Sequence, residues 1–180
     1  LALLERTWQQ VRPAALAQMA DYQALADRDA GRHPSTPLAP WDRQFYAEKL
    51  RRERFGLDGD EVKAHLPLEA VLQAMFWASG RVHGLSFERL AEVPVVHPSV
   101  RAYAVRRGGE PLGVLYFDLF NRPGKAHGSY QMQYREAENF RGRVLPISAV
   151  YSTFPPPPEG QPALLPWEYA NVFFHEFGHA

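Results

Sequence analysis

Cysteine is absent from the 180 residues, so no disulfide braces the chain and no thiolate is available as a metal ligand. That disfavours zinc hydrolases that use a cysteine ligand, such as the peptide deformylases. An excess of either charge is also missing, since Lys+Arg and Asp+Glu stand at 20 each. Without a net basic field, nucleic acid is not an expected partner, and there is no acidic tail. The stretch Lys49-Leu50-Arg51-Arg52-Glu53-Arg54 reads as a solvated helix face. No apolar run approaches the ~20 residues that cross a bilayer, so no membrane partner is expected. The start at Leu1 lacks a charged-then-apolar leader, and the expectation is a cytoplasmic protein. A chain that opens without Met and stops one residue after His179, inside a helical pattern, reads as a piece of a longer protein.

What is present suffices for a real core: 46% of residues are hydrophobic and 13% aromatic. Leu4, Trp8, Val11, Ala15, Met19 and Tyr22 recur at steps of three and four, predicting an amphipathic helix or helix pair kinked at Pro13. A polar, Pro-containing loop across residues 29–34 follows. Asp42 is a plausible N-cap for a helix carrying Phe45, Tyr46 and Leu50 and ending near Gly56. Pro67 can open the next helix, whose buried stripe is Leu68, Val71, Leu72, Met75, Ser79 and Val82, before Gly84. After Pro98 the period becomes alternating. Residues 100–106 and 112–120 predict a hairpin around Gly108-Gly109, residues 130–134 a weaker third strand, and residues 144–151 a fourth. Prolines 155–158 make an extended spacer, and Pro166 suits the first turn of a last helix, with Glu168 favourable near its positive end. There is no internal repeat and no convincing domain boundary. The expected parse is a helical portion over 1–97, a small sheet over 98–154 and a catalytic helix over 165–180.

That last helix carries His175-Glu176-Phe177-Gly178-His179, the HExxH pattern of zinc peptidases. Positions i and i+4 lie one above the other on a helix, so both imidazoles can converge on one tetrahedral ion. Glu176, one step round the turn, can reach a water on that ion without ligating it. Zinc lowers the pKa of such a water to about 7, and a nearby carboxylate can take its proton. Two helical histidines at this spacing are by default packing or solvated residues. The enclosed glutamate and the apolar run Tyr169-Ala170-Asn171-Val172-Phe173-Phe174 favour metal chemistry, with His175 and His179 as ligands and Glu176 as base. His33, His65, His83 and His97 lack ligand spacing to one another and read as surface or packing residues. Asp118 interrupts an apolar strand and reads as a buried carboxylate paired with Arg122 or Lys125.

The order of features from Trp41 onward resembles the catalytic domain of the M3 metallopeptidases, the thimet oligopeptidase, oligopeptidase A and peptidyl-dipeptidase group. The pieces that carry it begin with Trp41-Asp42, Leu66-Pro67-Leu68 and His83-Gly84-Leu85-Ser86-Phe87. They continue through His97-Pro98-Ser99-Val100, then Tyr116-Phe117-Asp118-Leu119-Phe120 with Arg122 and Lys125, to Phe174-His175-Glu176-Phe177-Gly178-His179. The resemblance implies an α+β, mainly α, zincin-like fold, helices packed with a small, mostly antiparallel sheet of about four strands. It implies a deep channel for short unstructured peptides and one zinc held by His175, His179 and a glutamate on a later helix. It also implies an edge strand that binds substrate backbone; His127-Gly128-Ser129-Tyr130 or residues 144–151 are the candidates. One departure is Tyr151-Ser152-Thr153-Phe154, where the family usually has an asparagine. The third ligand and the tyrosine and histidine that would stabilise an oxyanion are expected beyond Ala180, so the piece alone is expected to be inactive and to self-associate. The alternatives are a non-catalytic interaction module and another gluzincin such as an aminopeptidase.

Overall fold

The computed structural model describes residues 1–29, 33 and 36–180, and the chain forms two compact units, Leu1–Asp58 and Gly59–Ala180. Part of the loop expected over residues 29–34 lies outside the described residues.

In the first unit, α1 (Ala2–Ala26) is one helix with Pro13 inside it. A 3-10 turn (Pro40–Asp42) leads into α2 (Arg43–Phe55). Asp42 does stand at the N-cap position of α2, but its carboxylate turns back to accept the Ala39 N–H at 3.0 Å. Gly56 closes α2 with φ 61°, a conformation that costs glycine little. Tyr22, Leu25, Ala26 and Tyr46 form the small core between the two helices. The apolar stripe expected to be buried along α1 is largely exposed at Leu4, Trp8 and Val11. The basic stretch of α2 is held in ion pairs, Arg54 with Asp21 at 2.7 Å, Arg51 with Glu48 at 2.8 Å, and Lys49 with Asp29. Those pairings fit the reading of a solvated face.

The second unit opens with α3 (Gly59–Ala64) and α4 (Leu68–His83), which Pro67 precedes and a left-handed Gly84 ends. Leu68, Val71, Leu72, Met75 and Ser79 are buried as the helical period requires. Val82, expected in that stripe, is 73% exposed. Then come β1 (Leu85–Leu90), β2 (Arg101–Arg107), β3 (Glu110–Phe120), β4 (Tyr130–Arg135), β5 (Ile147–Phe154) and α5 (Trp167–His179).

The sheet corrects the expectation of about four strands: among the described residues there are five, in the order β1-β2-β3-β5-β4, and the β3/β5 pair is parallel. The other pairs are antiparallel. The additional strand, β1, follows Gly84 within the stretch read as helical. Leu85 and Phe87 alternate there with exposed Ser86 and Glu88, a half-buried strand pattern in a run too short to stand out. Gly108 and Gly109, both with positive φ, make the two-residue turn of the β2/β3 hairpin. β5 is buried at Ser148, Ala149, Val150, Ser152 and Phe154, a near-continuous run that belongs inside a sheet, whereas β4 alternates with polar residues and takes the edge.

The parallel pair begins where the Val114 N–H donates to the Pro146 carbonyl at 3.1 Å. A Cβ at Gly113 would stand 2.9 Å from that same oxygen, so only glycine fits this approach without displacement. Helices α4 and α5 share one core with the sheet through Leu72, Met75, Leu115, Phe117, Val150, Phe154 and Phe173.

Candidate active site

The rotation of α5 is set by its buried aromatic side. Phe173 meets Phe117 and Phe154 edge to face, with centroids 5.6 and 5.8 Å away, and Phe177 stacks on Phe117 and lies 5.8 Å from Phe87. With that side held, His175 and His179 are exposed. Their Nε2 atoms are 3.0 Å apart, with ring planes at 85°. Two nitrogens each 2.0–2.1 Å from one tetrahedral ion would stand roughly 3.3 Å apart, so the pair is arranged for a shared metal with little adjustment.

Glu176 is half-buried, and among the described residues no hydrogen bond or ion pair engages its carboxylate. Its acceptor capacity therefore remains for a water. No group of three or more His, Cys, Asp or Glu able to hold a metal occurs among the described residues. His65, His83, His97 and His127 are exposed and none joins the pair. The donor set fits two of the ligands of a zinc centre and does not complete one.

α5 lies against β5 and β4. Among the described residues β4 pairs only with β5, which leaves its outer edge open. Of the two stretches considered for substrate backbone, residues 144–151 fall largely in β5, which is paired on both sides and has no free edge. His127, Gly128, Ser129 and Tyr130 lead into β4. The Gly128 N–H donates to Thr153 Oγ1 at 3.4 Å, Ser129 Oγ is 2.8 Å from Ser152 Oγ, and Tyr130 stacks on Tyr151.

Asp118 is buried, and both proposed partners bind it at once. Arg122 donates to its two oxygens at 2.6 and 2.7 Å, and Lys125 Nζ donates to Oδ1 at 2.8 Å. Burial pushes the Asp118 carboxyl up, but hydrogen bonds from Arg122 and then Lys125 outweigh it and hold it below the ordinary carboxylate value. Burial pulls the Lys125 ammonium down, partly offset by the hydrogen bond to Asp118. Tyr151, desolvated and in contact with the Tyr134 hydroxyl, is pushed well above the usual phenol range. What the sequence did not reveal is that Lys125 also reaches three backbone carbonyls, of Asp118, Phe120 and Ser152. Its only sequence signal was a lysine following the Asn121-Arg122-Pro123-Gly124 turn.

An apolar cavity of about 420 Å³ opens between α4, β1 to β3 and α5. Phe174, Phe177 and Gly178 line it while His175, Glu176 and His179 do not, so it is separate from the histidine pair.

A helix that joins two imidazoles around an unengaged carboxylate, braced on a sheet whose edge strand β4 lies beside it, has the form that HExxH metallopeptidases use. The model of Peptidase family M3 matches residues 1–180, and the chain belongs to that family. It is 34% identical over 170 residues to the dipeptidyl carboxypeptidase of Escherichia coli K12, covering 93% of this chain and 24% of that protein. It is 27% identical over 173 residues to oligopeptidase A of the same organism, covering 93% and 25% respectively. A probable cytosolic oligopeptidase A of Arabidopsis thaliana is 28% identical over 190 residues, covering 99% of this chain and 26% of that protein. The chain thus spans about a quarter of the length of the curated relatives it matches. Membership in M3 sets aside the aminopeptidase alternative. No helix among the described residues is long and apolar enough to cross a membrane.

Proposed function

We propose that the whole protein is a zinc-dependent peptidase with a zincin-like, mainly helical catalytic domain, hydrolysing peptide bonds in short oligopeptides. The observation that carries this reading is the 3.0 Å approach of His175 Nε2 to His179 Nε2 beside the unengaged carboxylate of Glu176. His175 and His179 hold the metal, and residues outside these 180 supply the third ligand and the oxyanion donors. Zinc, when bound there, supplies a Lewis acid and lowers the pKa of water to about 7. The Glu176 carboxylate takes the proton from the attacking water and passes it to the nitrogen of the leaving amine. The His127 to Tyr130 stretch and the open edge of β4 align the extended substrate backbone.

By itself the 180-residue chain is inactive, since two imidazoles do not complete a catalytic centre. It also self-associates through uncovered apolar surface, at Trp167 and Phe174 on the last helix and at Leu4, Trp8 and Val11 on α1; a mass independent of concentration in sedimentation would contradict that. Cytoplasmic residence belongs to the same proposal and is supported by the similarity to a probable cytosolic oligopeptidase A of Arabidopsis thaliana.

The test is Glu176→Gln in the full-length protein. Zinc content should stay at one per chain while turnover of an oligopeptide falls by at least about 10²-fold, the scale of general base catalysis. Retained turnover would remove Glu176 from its role.

A further inference from the structure

The Lys125 side chain is 4% exposed, and its ammonium sits among four oxygens. It is 2.7 Å from the Asp118 carbonyl, 2.8 Å from Asp118 Oδ1, 2.9 Å from the Phe120 carbonyl and 2.5 Å from the Ser152 carbonyl. The first three belong to β3 and the last to β5, the two strands of the parallel pair. Three N–H donors shared among four acceptors leave the ammonium fully engaged. Arg122 closes the other side of Asp118 with its two-point contact.

Lys125 itself belongs to neither strand. It sits in the connection 121–129, which carries the chain from β3 past β5 to the edge strand β4. Asn121 N–H to the Phe154 carbonyl at 2.9 Å anchors the start of that connection. Its far end has only the 3.4 Å bond from Gly128 N–H and the contact between Ser129 and Ser152. Ser152, whose carbonyl Lys125 grips, lies next to Tyr151, and Tyr151 is where β4 begins its register, opposite Tyr130.

An edge strand of six residues with one neighbour is weakly held, and an irregularity interrupts its pairing between Gln133 and Arg135. A one-residue shift at its start would turn every side chain to the other face and offset the backbone groups on its open edge. Behind the Ser129–Ser152 contact, Lys125 is the buried charged tether of that start.

We propose that Lys125, seated by Asp118 and Arg122, is a positioning residue for substrate. It fixes the register of residues 127–130 and of the open edge of β4, so that an extended peptide lies in phase with His175 and Glu176. What it helps recognise is peptide backbone in an extended conformation, not any one side chain. The inference rests on the peptidase reading above.

Steady-state kinetics of the full-length protein on an oligopeptide test it, with Lys125→Met, Arg122→Gln and a core control, Leu72→Ala. For Lys125→Met, KM should rise roughly tenfold, as expected if one or two aligned backbone hydrogen bonds are lost. kcat should change less than about threefold and zinc content should not change. Arg122→Gln, at a partly exposed position, should raise KM by a smaller factor, and it decides the matter if Lys125→Met does not fold. Leu72→Ala should lower the unfolding midpoint without moving KM. An unchanged KM in whichever variant decides overturns this inference alone, as does a KM that rises equally in Leu72→Ala. Absence of Glu176-dependent cleavage in the unaltered protein overturns the peptidase reading, and this one with it.

Discussion

The ring of Phe173 meets that of Phe117 edge to face, with centroids 5.6 Å apart and planes at 81°. Phe173 precedes His175 by two positions on α5, so the same contact that closes the core also fixes the azimuth at which the imidazoles emerge. Core packing and the placing of the two imidazoles are linked here through the rigidity of one helix.

Phe173→Ala should therefore cost about 3–5 kcal/mol, the range for emptying a fully buried phenylalanine site. Val172→Ala, one position away and partly exposed, should stay within about 0.5 kcal/mol. Urea unfolding of the full-length protein measures both. Zinc should also be released more readily from the Phe173 variant, which competition with a chelator would read.

At Gly113 the constraint is steric. An added Cβ would meet the Pro146 carbonyl oxygen at 2.9 Å and Pro146 Cγ at 3.1 Å, a backbone atom and a ring atom that leave little room to yield. Gly113→Ala should destabilise by about 1–3 kcal/mol, the cost of overpacking, although alanine is normally tolerated in a strand. A Tm equal to that of the unaltered protein would show that β3 and β5 can separate freely.

Asp118 gives a pH dependence whose sign follows from its lowered pKa in the folded state. Unfolded, the carboxyl titrates near 3.9. Its contribution is fully present above that value and is lost as pH falls through the lower folded value. Between pH 7 and about pH 3, Asp118→Asn should lose less stability than the unaltered protein. Parallel acid sensitivity in the two would mean that the Arg122 and Lys125 contacts do not favour the ionised form.

The 180-residue chain, with two histidines and no third donor beside them among the described residues, should bind zinc weakly and give it up to a chelator. Metal analysis after dialysis measures this. Stoichiometric, chelator-resistant zinc would require a third ligand from Glu168, Asp118, His127 or a neighbouring molecule.

The juxtaposition of the two imidazoles was legible in one dimension because helix geometry is local: a four-residue spacing already brings His179 above His175. The β2/β3 hairpin was equally readable, since Gly108-Gly109 specifies a two-residue turn. β1 was missed because six residues carry too few alternations to separate a strand from the end of α4. The parallel β3/β5 pairing was not readable from adjacency, because it depends on which strand can bear burial on both sides. The exposed stripe of α1 shows the converse limit, in which periodicity reports an apolar face without saying what covers it. Lys125 lies at the far end of that scale: its acceptors come from residues as distant as Ser152, and no pattern in its neighbourhood marks them.

The placement of β5 between β3 and β4 carries a consequence for the order of events at the ribosome. β4 is synthesised before its sole neighbour among the described residues, and α5 follows immediately after β5. Until residues 147–154 have emerged, the strand with the open edge has nothing to pair with and the histidine-bearing helix does not yet exist. The nascent chain therefore cannot display a finished β4 edge early, when other unfolded segments are close by. One late strand brings the paired edge strand and the histidine-bearing helix into being together.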